Sequence, residues 1–294
     1  MNRIHRPVAR VALLLALVFG TSTAAQSQTR NFLWRVQSGT GVLYLAGSLH
    51  ALSADVYPLP GAYQRAFEAS DTLVEEIDLN NALMSAASLL LTKGVYMDGR
   101  TFNKVVSKET VALVTERLKG TPFSIELIQP MKPWMVLLMI QASQLQRAGL
   151  EATLGLDKYF YDRAVAERKT IIGLETAEAQ IDVFDKMPEP LQEQLLLATL
   201  NELDNTQREL AAIVGAWRRG DAAALERTLL SGFAKYPAAY TSLIVDRNRN
   251  WMPQLEKCLA RSRPCFVVVG AAHLVGPDGL LRLLQQKGYR LEQQ

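Results

Sequence analysis

Two segments more than 220 positions apart share one frame: an apolar run that ends in Gly-x-x-His. Val42-Leu43-Tyr44-Leu45-Ala46 leads into Gly47-Ser48-Leu49-His50, and Phe266-Val267-Val268-Val269 leads into Gly270-Ala271-Ala272-His273. A short continuous apolar run closed by glycine reads as a buried strand entering a tight loop. The chain has three histidines, the third being His5. Glycine makes up about 7% of an average chain, so both frames would arise together by chance in roughly one case in 200. The segments downstream of the two frames also match, with strand, loop, helix and strand running from Val42 to Asp78 and again from Cys265 to Glu292. In the second copy, Asp278 is expected to cap a helix Leu280 to Lys287, and Gly288 to end it before the last strand. Units of this kind build parallel sheets with right-handed crossovers. The two ends of the chain are therefore expected to meet in one sheet.

Strand-like runs are Phe32 to Val36, Val42 to Ala46, Thr72 to Asp78, Thr170 to Gly173, Cys265 to Val269 and Tyr289 to Glu292. The first two read as a hairpin through Ser38-Gly39-Thr40-Gly41. Between Asp78 and Cys265 the pattern is mainly helical, as in Pro133 to Arg147, Pro190 to Leu203 and Gln207 to Arg218, where apolar residues recur every three or four positions. The expected fold is α/β (α+β): a central mixed sheet built from both chain ends, with a helical insertion over about 79–262 and one extra strand. No Pro/Gly/Ser-rich linker divides residues 26–294, which read as a single domain.

Arg3, Arg6 and Arg10, the apolar stretch Val11 to Phe19 and the ending Thr23-Ala24-Ala25 have the three-part layout of a secretory signal peptide, with cleavage expected after Ala25. An apolar stretch of about nine residues is too short to span a bilayer. The mature chain is thus expected in the periplasm or outside the cell, with no membrane span. Cleavage removes three arginines and no acid, taking the 32 lysines and arginines to 29 against 29 acids. The basic excess belongs to the leader, and no cationic footprint for nucleic acid remains. Cys258 and Cys265 lie seven positions apart, and an oxidising compartment makes a disulfide their default state. No His or second Cys pair accompanies them for metal ligation.

Functional groups of α/β sheets collect beyond the carboxyl ends of the strands, where both frame histidines are expected to fall. A glycine at each strand end is expected to let the backbone turn and approach a neighbour closely. Two imidazoles converging there suit a divalent metal completed by carboxylates. Glu76 and Asp78 lie on one face of the strand Thr72 to Asp78, Glu75 lies on the other, and Glu175 follows the strand Thr170 to Gly173. An acid at the end of an apolar strand calls for a metal or a basic partner, or else it caps a helix or faces solvent. No Gly-x-Ser-x-Gly elbow, phosphate loop or dinucleotide fingerprint occurs. The remaining chemistry is water activation, through a metal or through imidazole and carboxylate alone. Aromatics such as Trp134, Tyr159, Phe160, Trp217 and Trp251 read as core.

Ala46-Gly47-Ser48-Leu49-His50, Leu73-Val74-Glu75-Glu76-Ile77-Asp78, Gly155-Leu156-Asp157-Lys158-Tyr159-Phe160, Gly173-Leu174-Glu175-Thr176, Asp246-Arg247-Asn248 and Val269-Gly270-Ala271-Ala272-His273-Leu274-Val275-Gly276 resemble, in order, the motifs of the TraB/PrgY/GumN family. The resemblance covers nearly all of the mature chain. It implies a fold like that of the Tiki proteins, metal-dependent peptidases with paired Gly-x-x-His motifs. Carried over by position, it implies His50, His273 and Glu76 as ligands of a divalent metal (Mn, Co, Zn or Fe) and as catalytic groups. Arg247 would assist catalysis, while Glu175, Asn248 and Asp78 would line the substrate pocket. The expected substrate is a peptide or another small acyl compound. Two alternatives stay open: a binding protein holding a peptide or haem in the same crevice, and a metal-free His/Glu hydrolase like the erythromycin esterase-like proteins. Glu75 departs from the family pattern, which more often has an apolar residue there.

Overall fold

The structure, a computed structural model, describes residues 30–119, 121 and 123–294, and for residues 80–86 the backbone alone. The expected leader and its expected cleavage point lie outside the described residues, among which no helix is long and apolar enough to cross a membrane. Six strands form one sheet: β1 (Leu33–Gln37), β2 (Val42–Ser48), β3 (Thr72–Ile77), β4 (Thr170–Glu175), β5 (Cys265–Gly270) and β6 (Arg290–Gln293), in the order β4-β3-β5-β2-β1-β6. β1 and β2 form the expected hairpin, and β6 pairs antiparallel with the far side of β1. β2, β5, β3 and β4 run parallel. The sheet is therefore mixed and drawn from both chain ends.

β5 sits between β2 and β3, and all six of its residues are buried. A strand flanked on both sides and covered on both faces needs an uninterrupted apolar run, and Cys265-Phe266-Val267-Val268-Val269 supplies one. Because β5 takes this slot, neither duplicated unit pairs its own two strands. β2 and β3 flank β5, while β6 crosses to the opposite edge.

The principal helices are α1 (Gly61–Glu68), α2 (Leu79–Lys93), α3 (Lys108–Leu118), α4 (Pro133–Arg147), α5 (Leu156–Ala166), α6 (Ala177–Asp185), α7 (Glu189–Glu202), α8 (Thr206–Arg218), α9 (Ala222–Leu230), α10 (Asp246–Leu259) and α11 (Leu280–Gln286). α1, α5, α8, α10 and α11 pack their apolar faces on the sheet, with Phe67, Phe160, Trp217, Trp251 and Leu284 in one core around it. A second apolar cluster gathers Val114 of α3, Val136, Leu137 and Ile140 of α4, and Leu196 and Leu200 of α7 inside the insertion. Cys258 of α10 and Cys265 of β5 are joined, with 5.8 Å between their Cα atoms. Gly288 stops α11 in the left-handed region at φ 85°. The expected Asp278 cap is not formed, and the helix instead starts from Gly279 with no side-chain cap. Asp278 is engaged elsewhere: its carbonyl accepts from Asn248, and its carboxylate accepts from the Tyr240 hydroxyl at 3.4 Å.

Candidate functional site

Four parallel strands deliver their C-terminal ends to one edge of the sheet. His50 follows β2, Glu76 lies near the end of β3, Glu175 ends β4, and Gly270 ends β5 just before His273. Register brings them level, with Ser48 opposite Gly270 and Ile77 opposite Glu175. Neither frame glycine has a positive φ; their value is space. A Cβ on Gly47 would run into the Phe32 ring. A Cβ on Gly270 would stand 3.2 Å from both Glu76 Oε1 and His50 Nε2 and 3.5 Å from His273 Cδ2. Gly270 thus keeps open the centre of the cluster.

Arg247 is the hub. It lies in the first turn of α10, just after a stretch of π-helix, Thr241–Val245. Such wider turns recur at functional sites because they re-aim the residues beyond them. The guanidinium donates to Glu76 Oε2 at 2.5 Å, to Glu175 Oε1 at 2.6 Å and Oε2 at 3.1 Å, and to His273 Nε2 at 2.9 Å. It also lies over the Trp251 ring at 4.7 Å. Gln180 of α6 donates to Glu76 and Glu175, and Trp251 Nε1 donates to Glu175 at 3.2 Å. Glu76 is 7% exposed. Burial alone would raise its pKa, but neighbouring His273 and His50, Arg247 and the Gly270 N–H, bonded at 2.7 Å, hold it down to about 2. Since His273 is itself held neutral, the causes that persist at neutral pH are the charges of His50 and Arg247 and the Gly270 amide.

The two histidines live in opposite environments. His273 is buried, and its Nδ1 lies 2.7 Å from Asn248 Oδ1. The Asn248 amide nitrogen donates to the His273 and Asp278 carbonyls, so its oxygen must accept from Nδ1–H. The Nε2 lone pair then accepts from Arg247, and burial followed by the Arg247 charge lowers the His273 pKa to about 3. His50 has a side chain 59% exposed. Its Nδ1 meets Asp157 Oδ2 at 3.2 Å, while Nε2 faces Glu76 Oε1 across 3.8 Å. Partial burial opposes its charge, yet Asp157 and then Glu76 outweigh that and push its pKa up to about 9. Asp157 opens α5 beside a close approach in which Leu156 N–H donates to Leu49 O, and a Cβ on Gly155 would meet the His50 carbonyl at 2.4 Å. Ser48 Oγ donates to the other Asp157 oxygen at 2.8 Å. The result is a carboxylate–imidazole pair with the outer nitrogen open.

Glu75 points to the α5 side of β3. It is 2% exposed, and neither carboxyl oxygen has a hydrogen-bond partner among the described residues. Burial first, then Asp157, Asp78, Glu76 and Asp162, push its pKa up to about 9. At neutral pH it is an uncharged acid.

His50, His273 and Glu76 have the donor chemistry of a divalent-metal site. As arranged they do not fit one. The His273 lone pair and Glu76 Oε2 are already bonded to a guanidinium, and among the described residues no group of three or more His, Cys, Asp and Glu is placed to hold a metal ion.

Of the residues singled out from the sequence, His50, Glu76, Glu175, Arg247 and His273 stand together. Asn248 is fully buried and steadies His273 rather than facing solvent. Asp78, just past β3, weighs on Glu75 and Tyr161. Trp251, read as core, is both core and a wall of the site: its ring lies 4.4 Å from that of His273. Asp157 lies in one of the quoted motifs but was given no role, and Gln180 was not singled out. The sequence signal for Asp157 is an acid opening a helix directly after Gly155-Leu156; Gln180 leaves none.

Comparison with known proteins identifies the family. The family model described as TraB/PrgY/gumN family matches residues 32–293. A protein named only as uncharacterized protein YbaP, from Escherichia coli (strain K12), is 27% identical over 247 residues, covering 84% of this chain and 89% of the relative. Its counterpart from Shigella flexneri is 27% identical over 242 residues, covering 82% and 87%. No solved structure matches the chain. With a match spanning both Gly-x-x-His frames and every strand that carries the cluster, the chain belongs to the TraB/PrgY/gumN family.

Proposed function

We propose that the protein is an exported hydrolase of peptide or other acyl bonds, in which His50 moves the proton of the attacking water. The carrying observation is the Asp157–His50 pair, whose open Nε2 faces Glu76 Oε1 at 3.8 Å. Asp157 fixes the ring with Nδ1–H inward, so Nε2 is the nitrogen available to water. Glu76, locked by Arg247 and the Gly270 amide, carries a negative charge beside that nitrogen and stabilises the imidazolium formed when His50 takes a proton. Arg247 and neutral His273 form the rigid floor, and the guanidinium offsets negative charge developing above it.

The test is a screen of the purified mature protein against chromogenic peptides and esters, with chelator and then with added Mn, Co, Zn or Fe ions. Turnover that persists in chelator and is lost in His50→Ala supports the reading; turnover unchanged in His50→Ala sinks it. A metal-dependent version of the same hydrolysis draws on one observation, that Glu76 Oε1 lies 3.8 Å from His50 Nε2 and 4.0 Å from His273 Nε2, near the spacing of ligands sharing an ion. It requires Arg247 to leave His273. Turnover that appears only with added ion would favour it.

A further inference from the structure

A groove of about 490 Å³ opens beside the segment that follows His50. One wall is the face of α8 carrying Leu210, Ala211 and Val214; the other is the end of α4 and the turn after it, with Arg147 and Leu150. Ser53 lies on its lining, three residues beyond His50, which limits the Cα separation to about 11 Å. Both walls are tied to the His50 segment. Trp217 of α8 donates its indole N–H to the Gly47 carbonyl at 2.7 Å, and Leu52 exchanges two backbone hydrogen bonds with Glu151 at 3.2 and 2.9 Å. Groove and His50 are thus held in fixed relation by contacts on either side of His50, at Gly47 and at Leu52.

The chemistry of the groove is specific. Its walls are aliphatic, and its rim carries two guanidinium groups, Arg147 and Arg218, against one carboxylate, Asp55. Arg218 is paired with Asp55, which also accepts from Ser53. Arg147 is exposed and makes no ion pair among the described residues. An apolar cleft with a few convergent polar groups is the usual form of a small-ligand site, and a guanidinium fork matches a carboxylate.

We infer that this groove holds the part of the substrate beyond the bond that His50 attacks, and that it takes a short apolar peptide segment ending in a free carboxylate gripped by Arg147. The assignment rests on the hydrolase reading for its place in catalysis, but the binding it describes does not require turnover. A residue in extended conformation covers about 3.3–3.6 Å, so about three residues span the largest separation of Ser53, on the lining, from His50.

The experiment is fluorescence anisotropy with labelled tetrapeptides of Leu and Val, each made as the free acid and as the C-terminal amide, on the mature protein at low salt. The acid is expected to bind about tenfold more tightly than the amide, the scale of one charge-assisted hydrogen-bonded contact. In Arg147→Gln the two forms should bind equally, with the amide affinity unchanged. In Ala211→Trp, a substitution at an exposed position that fills the groove, both should bind far more weakly. The proposal is overturned by equal binding of acid and amide to the unmodified protein, by no binding of either, by an acid preference that survives Arg147→Gln, or by binding that survives Ala211→Trp. Incubating the same peptides with the unmodified protein separates the two readings. An acid preference without cleavage leaves the groove standing and counts against hydrolysis. Cleavage without that preference does the reverse.

Discussion

The two Gly-x-x-His frames are alike in sequence and opposite in use. His273 is sealed beneath Trp251, donates to Asn248 and accepts from Arg247, so every polar atom of its ring is spoken for. His50 has one nitrogen on Asp157 and the other open, on a side chain 59% exposed. A repeated frame thus places two imidazoles level at one sheet edge, while the neighbouring helices decide that one becomes scaffold and the other stays chemically available. α10 brings Asn248 and Arg247 to the first, and α5 brings Asp157 to the second.

The largest effect should come from the hub that separates the two. Arg247→Ala strands Glu76 and Glu175 as buried carboxylates without their cation, a loss of about 3–5 kcal/mol in urea unfolding. A change below about 1 kcal/mol would mean that the acids are solvated and that the contrast is drawn in the wrong place. Next, His273→Ala should cost about 2–4 kcal/mol through the cavity and the unpaired Asn248. His50→Ala should cost less, about 1 kcal/mol, because solvent screens much of its pairing with Asp157, while abolishing turnover. Equal stability losses for the two would break the comparison.

Glu75 sharpens it on the other face of β3. Its folded pKa, about 9, lies above its ordinary value of 4.5, so its protonation-linked stability is complete below about pH 4.5 and is lost progressively as pH rises toward 9. Glu75→Leu should therefore be more stable than the parent by about 1–3 kcal/mol at pH 7, with the gap widening between pH 4.5 and 9. A gap that ignores pH would show that Glu75 is not a buried neutral acid. The smallest effect concerns the base itself. Neutral His50 is the competent form, and Asp157 is the main group raising its pKa against the effect of burial, so turnover should climb toward pH 9. Asp157→Asn should move that limb acidward by about one pH unit and slow the plateau. An unmoved limb would remove Asp157 from the role.

Sequence revealed the strands because β2 and β5 lie in the middle of the sheet and are written as plain apolar runs; no amphipathic alternation had to be decoded. It revealed Glu76 and Glu175 for a related reason, since an acid at the end of such a run is costly unless something holds it. The strand order was not legible. Nothing local tells β5 to lie between β2 and β3, or β6 to cross to β1, because those choices are made by the packing of helices on both faces. Asp157 was hidden in the same way: its partner is 107 positions away, reached where the backbones approach at Gly155. The Asp278 cap failed because the helix takes Gly279 as its cap residue, while the Asp278 carboxylate turns to the Tyr240 hydroxyl and the Arg249 guanidinium, partners met only in the folded chain.

The place of β5 also sets an order of assembly. Without it, β4 and β3 form one two-stranded piece and β2 and β1 another, and an isolated pair of strands is marginal in water. β5 begins at Cys265, within the last 30 residues of a 294-residue chain. A chain that emerges from its N-terminus holds His50 and Glu76 long before it can bring them within reach of each other, and the tail that joins the two pieces also carries His273. A growing or truncated chain thus lacks the assembled cluster until β5 takes its place between β3 and β2, with only β6 still to follow.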